Sequence, residues 1–217
     1  MTSPSPLPAS VLDLAPVVPV VVEDAGDAVP PARALVAGGL SAIEVTVRTP
    51  AAVEAIRRIV REVPGAVVGP GGWSPPGGQV AEVVEAGARF LVSPGWTDRL
   101  LEAMRASGLP FLPEVSTTSE VVAPLERGVR ETKFFPAQAG GGAAYLRSLA
   151  RPLPQARFCP TGGIGPDCAP DFLALPNVGC AGGSWVLPPD AVAGHDWGRV
   201  EALARAAAAL SAGGTCR

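Results

Sequence analysis

One pattern constrains this chain more than any other. A short apolar, β-branched run, a turn rich in Gly or Pro, and a helix-like stretch recur eight times. The strand-like runs are 17–22, 42–47, 66–69, 89–93, 109–113, 130–135, 156–161 and 177–181. The helix-like stretches are 27–37, 51–62, 79–86, 98–106, 118–126, 143–149, 170–175 and a segment within 200–210. Apolar strands alternating with helices predict a parallel sheet covered by helices. Eight such units in 217 residues predict a compact (β/α)8 TIM barrel of the α/β class. An open doubly wound sheet is the alternative, and eight strands are many for it. Pro19 and Pro160 weaken individual strands, because proline cannot donate to a ladder. The repeat therefore carries the assignment. No linker or composition break interrupts it, so 1–217 reads as a single domain with flexible ends at 1–10 and 213–217.

Composition excludes several function classes. With 47% hydrophobic and 17% charged residues and a net charge of −3, the chain is not a charged disordered protein. The mild acidity argues against a nucleic-acid partner, which needs a basic face. The longest apolar stretch, 17–22, falls far short of the ~20 residues of a membrane helix. The N-terminal segment lacks the basic-then-apolar pattern of a secretory signal, so a cytoplasmic protein is expected.

In a TIM barrel the chemistry sits at the carboxyl ends of the strands. Along the second strand, Glu44, Thr46 and Arg48 share one face, and Ile43, Val45 and Val47 share the other. Glu44 and Arg48 then point into the barrel mouth, either as a structural ion pair or as working groups. The sixth strand carries Lys133, the sole lysine among 17 basic residues. Unlike arginine, a lysine amine can lose its proton and attack a carbonyl. Its apolar neighbours are expected to lower its pKa, although a salt-bridged lysine is the alternative. Gly162-Gly163 and Gly182-Gly183 follow the last two strands, where barrels often bind phosphate through backbone N–H groups.

Seven segments together resemble one family: 16–20 (PVVPV), 34–39 (ALVAGG), 43–49 (IEVTVRT), 93–95 (SPG), 133–137 (KFFPA), 158–164 (FCPTGGI) and 182–185 (GGSW). They run in family order through nearly the whole chain. The family is the class I 2-keto-3-deoxy-6-phosphogluconate (KDPG) aldolases, similar to the 4-hydroxy-2-oxoglutarate (KHG) aldolases. The resemblance implies a homotrimeric barrel that cleaves a 2-keto-4-hydroxy acid to pyruvate and an aldehyde, without metal or organic cofactor. On that resemblance Lys133 matches the Schiff-base lysine and Glu44 the proton-relaying residue, while Arg48 matches the binder of the substrate carboxylate. Pro94 and Phe135 match pocket-lining residues. Gly162, Gly163 and Ser184 match the phosphate-binding positions, with Thr161 beside them.

The chain also departs from the family pattern. Gly72 stands where a threonine hydroxyl commonly helps hold the pyruvyl carboxylate, Glu114 where Pro-Gly is usual, and Gln138 where glutamate is common. Glu114 would repel an anionic substrate or bind a polar or cationic one. The leading expectation is cleavage of KDPG to pyruvate and glyceraldehyde 3-phosphate. The same chemistry on an unphosphorylated acid such as 4-hydroxy-2-oxoglutarate is one alternative, and a catalytically decayed binding or scaffold barrel is another. Cys159 and Cys180 read as core residues, Cys168 and Cys216 lack metal-ligand spacing, and His195 reads as a surface residue. Trp73 and Trp96 shape either the pocket or a subunit contact. Arg57, Arg58 and Arg61 read as a solvated helix face.

Overall fold

The computed structural model describes residues 9–21, 28–47, 50–72 and 79–210. Among them, strands and helices alternate along the chain. The strands are β1 (Val17–Val21), β2 (Ala42–Thr46), β3 (Val67–Gly71), β4 (Leu91–Ser93), β5 (Phe111–Val115), β6 (Glu131–Phe134), β7 (Arg157–Pro160) and β8 (Ala181–Gly183). The helices are α1 (Val29–Ala37), α2 (Pro50–Glu62), α3 (Gln79–Glu85), α4 (Asp98–Ala106), α5 (Thr118–Glu126), α6 (Gly142–Leu149), α7 (Ala169–Leu173), α8 (Pro189–Ala193) and α9 (Trp197–Ala208).

Two four-stranded parallel ladders, ordered β3-β2-β1-β8 and β4-β5-β6-β7, make up the wall. Two seams close the ring. The Arg89 N–H donates to the Val68 carbonyl at 2.8 Å between β3 and β4. Bridges Phe158–Val178 and Thr161–Gly182 join β7 to β8. The result is the expected (β/α)8 barrel.

Local signals in the sequence set several helix starts. Thr97 caps α4 by accepting from the Leu100 N–H, and Thr117 with Glu120 forms a capping box at α5. Prolines occupy the first turn of α1, where a missing N–H costs nothing.

The barrel interior is layered, because alternate residues of each strand face inward. At the amino end Ser10 donates to the Glu131 carboxylate at 2.8 Å, and Arg157 bridges Glu131 and Asp13 at 2.8 and 2.6 Å. Ser10 is thus buried and anchored rather than frayed; residues 1–8 and 211–217 lie outside the described residues. Above this layer Val11, Leu12, Phe90, Leu112, Cys159 and Cys180 fill the barrel. Ile43, Val45 and other outward-facing strand residues pack against the helices in a second core. Buried polar residues, among them Glu44, Lys133, Ser93 and Thr161, crown the apolar plug at the carboxyl end.

Several boundaries differ from the sequence expectation. β3 extends to Gly71 and β5 to Val115, each two residues further than expected. The added residues, Pro70-Gly71 and Glu114-Val115, include proline, glycine and a charge and so look like loop, yet inward positions at the barrel top need not be apolar. β8 begins at Ala181, whose N–H donates to the Pro16 carbonyl at 2.9 Å. The preceding residues join the ladder through the single Phe158–Val178 bridge, and Cys180 fills the barrel interior. α8 was not expected, since five residues are too few to show a helical period. Val22 and Asp27 lie outside the described residues.

Candidate active site

The crowning layer is organised around Lys133 on β6. Its Nζ donates to Glu44 Oε1 on β2 at 2.8 Å, across the barrel interior. Only 7% of the Lys133 side chain and 3% of the Glu44 side chain are exposed, so this pair is nearly out of water. A second carboxylate, Glu114 on β5, has Oε2 at 3.8 Å from the same nitrogen. The cause is register. Glu114 and Lys133 are direct Cα partners in the β5–β6 ladder, so their side chains leave the sheet on the same face. The Phe135 ring is half exposed, with its centroid 5.7 Å from Nζ, and forms an aromatic wall beside the amine.

These neighbours overturn the expectation of a lowered lysine pKa. Burial does push it down, but the Glu44 charge and hydrogen bond, together with the Glu114 charge, outweigh that and hold it above its ordinary value. The resting amine is an ammonium. Phe134 and Phe135 follow it in sequence, whereas its partners in space are carboxylates. Burial raises the Glu114 pKa, Lys133 opposes that rise, and the Glu44 charge adds to it.

The close fit of Glu44 depends on a residue that sequence reasoning passed over. A Cβ at position 71 would lie 2.0 Å from Glu44 Oε1 and 2.4 Å from its Cδ. Only glycine there lets the carboxylate reach across β3 to Lys133. Glu114, treated in the sequence as an extra carboxylate after the fifth strand, lies within β5 and two residues above the interior residue Leu112. Counting alternate residues would have aimed it at Lys133. Thr46 is committed elsewhere, donating to the Val21 carbonyl at 3.1 Å.

The remaining candidates surround this cluster at the strand ends. Thr161 follows β7 and is buried; its N–H donates to the Phe134 carbonyl at 2.9 Å. Gly162 and Gly163 follow with φ of +100° and +74°, and the Gly162 carbonyl accepts from the Gln138 N–H at 3.1 Å. A Cβ on Gly162 would lie 2.9 Å from the Phe135 ring, so glycine there permits both the left-handed turn and the approach to the pocket wall. Ser184 sits exposed just after β8, and Pro94 is exposed just after β4. Arg48 and Trp73 lie outside the described residues. Gly72 has φ +62°, a conformation that disfavours threonine, so the lost hydroxyl goes with a left-handed turn after β3.

A buried lysine paired with two carboxylates at the mouth of a barrel, beside a glycine turn, is suited to carbonyl chemistry on an anionic substrate. The family model described as "Aldolase: KDPG and KHG aldolase" matches residues 9–203. The chain belongs to this family. It is 51% identical over 199 residues to the KHG/KDPG aldolase of Escherichia coli K12, covering 91% of this chain and 93% of that protein. Among solved structures, the KDPG aldolase of Legionella pneumophila superposes with a TM-score of 0.87 at 42% identity, covering 92% of this chain and 97% of that one. That structure holds pyruvate captured at low pH as a covalent carbinolamine intermediate. The Zymomonas mobilis KDPG aldolase, solved with 3-phosphoglycerate, gives 0.85 at 47% identity and covers 93% and 94% of the two chains.

Cys159 and Cys180 are buried and His195 is exposed, stacked on Trp197. Arg57 pairs with Glu54, and Arg58 and Arg61 pair with Glu62, on the exposed face of α2. Trp96 packs against the second half of the core with Arg127 over its ring. Among the described residues no cluster of three or more His, Cys, Asp or Glu could hold a metal ion. No helix there is long and apolar enough to cross a membrane.

Proposed function

We propose that this aldolase cleaves KDPG reversibly to pyruvate and glyceraldehyde 3-phosphate through a Schiff base on Lys133. The observation that carries the reading is the buried Lys133–Glu44 hydrogen bond of 2.8 Å at the carboxyl end of the barrel. Lys133 sheds a proton and attacks C2 of the keto acid, and loss of water from the carbinolamine leaves an iminium ion. Glu44 relays protons, including the one taken from the C4 hydroxyl. As that O–H breaks, the C3–C4 bond cleaves and its electron pair flows into the iminium, giving an enamine and the aldehyde. Protonation at C3 and hydrolysis then release pyruvate and free Lys133.

Arg48 binds the substrate carboxylate, where its planar fork suits a bidentate contact. Gly162, Gly163 and Ser184 hold the 6-phosphate through backbone N–H groups and one hydroxyl, with Pro94, Phe135 and Thr161 lining the pocket. The 3-phosphoglycerate bound by the Zymomonas relative supports a phosphorylated substrate. The working form is a cytoplasmic homotrimer, a state that sedimentation would test.

The deciding experiment is borohydride reduction with pyruvate, followed by intact mass and peptide mapping. A single adduct on Lys133 is the expected result. Folded protein that gives no adduct there would overturn the reading.

A further inference from the structure

Resting Lys133 is an ammonium, so it must lose a proton before it can attack a ketone. Two carboxylates can take it. Glu44 is committed by a direct 2.8 Å hydrogen bond and is 2% exposed, walled in on the β3 side by Gly71. Glu114 stands 3.8 Å from the amine, and 17% of its side chain is exposed. Among the described residues its carboxylate has no hydrogen-bond partner and faces two charged groups, Lys133 on β6 and Glu44 on β2. One carboxylate is thus locked to the amine, and a second is loosely held beside it with access to the mouth.

We propose that Glu114 is a second catalytic acid–base residue of this aldolase, serving formation and dehydration of the carbinolamine. This rests on the reading that Lys133 forms the Schiff base. Glu114 takes one proton from the Lys133 ammonium, giving a carboxylic acid and a free amine. The amine attacks C2, forming the N–C bond as the carbonyl π pair moves to oxygen. A proton passes from nitrogen to that oxygen, leaving a neutral carbinolamine. Glu114 then returns its proton to the C2 hydroxyl as the C–O bond breaks. Water leaves, the iminium forms, and Glu114 is again a carboxylate. The protons and charge balance with no other reactant. Glu44, hydrogen-bonded to the same amine, serves the carbon–carbon step and remains a second route for the amine proton. Burial favours the role, since it raises the Glu114 pKa and so strengthens that carboxylate as a proton acceptor. A glycine at this position, as the resemblance would have it, could do none of this.

The test is the rate at which pyruvate becomes reducible onto Lys133, read by quenching with borohydride at short times and intact mass, from pH 5 to 9. Glu114→Gln keeps the shape but cannot carry the proton. It should slow trapping by about tenfold or more, a moderate loss for a positioned acid–base group because Glu44 remains. Its Tm should stay close to that of the unaltered protein. Trapping within twofold of the unaltered rate at every pH would overturn the proposal. If Glu114→Gln does not fold, Glu114→Asp carries the test. A carboxylate withdrawn by one methylene should slow trapping, and an unchanged pH–rate profile would overturn the proposal. If the unaltered protein itself gives no adduct on Lys133, the Schiff-base reading has failed instead.

Discussion

The lysine cluster and the glycine turn after β7 lie at the same end of the barrel and are built in opposite ways. Lys133, Glu44 and Glu114 are long side chains on strands, and ladder register aims them at one point. Gly162 and Gly163 offer backbone, at φ values that side chains avoid, on a turn pinned to the segment after β6. Charge out of water makes the first region responsive to single atoms. The second is more open, and its Ser184 is exposed. On the proposed function, the contrast teaches that one barrel end separates bond-making from anion-holding. The first uses side chains and low dielectric, the second backbone and the absence of Cβ.

If that separation is real, damage to each region should have its own signature. The largest effect belongs to Lys133→Ala, which should lower cleavage by at least about 10³-fold, as deletion of a covalent nucleophile does. It also strands Glu44 as a buried unpaired carboxylate, a loss of about 3–5 kcal/mol in urea melts. Activity within tenfold of normal would remove Lys133 from the reaction.

Gly71→Ala should come next. Its new methyl would have to displace Glu44, whose Oε1 lies 2.0 Å from the Cβ position. Cleavage should fall about 10²-fold, the scale of a misplaced acid–base group, with KM nearly unchanged. A raised KM with normal kcat would show that Gly71 serves binding instead.

Ser184→Ala probes the other region. It should raise KM for KDPG by about tenfold, the loss of one hydrogen bond to a charged group. Pyruvate trapping and the KM for 4-hydroxy-2-oxoglutarate should hold steady. Equal loss on both substrates would blur the division between the regions.

The smallest effect is on stability against pH. Burial raises the Glu114 pKa above the ordinary 4.5, so its neutral form is favoured in the fold. The stability this adds is fully present below the unfolded value and is lost as pH rises through the folded one. Relative to Glu114→Gln, the Tm of the unaltered protein should drift slightly downward as pH climbs above the ordinary glutamate value. Parallel Tm curves would mean that Glu114 titrates normally.

The sequence by itself determined the barrel, the sole lysine as the candidate nucleophile, and the glycine turn after β7 as a candidate anion site, whereas Gly182-Gly183, expected as a second turn, lies within β8. Each is a local property: the period of apolar residues, the chemistry of an amine, and a backbone that only glycine tolerates. Thr117 with Glu120 at α5 was legible for the same reason. What neighbours Lys133 was decided by the tertiary structure. In sequence Phe134 and Phe135 come directly after it, from which a depressed pKa was expected. Across the barrel stand Glu44, 89 residues away, and Glu114, and their charges reverse the shift. Gly71 likewise looks like a turn residue until Glu44 is seen lying over it. Electrostatics and close packing depend on distances between strands far apart in the chain, and closing the barrel sets those distances.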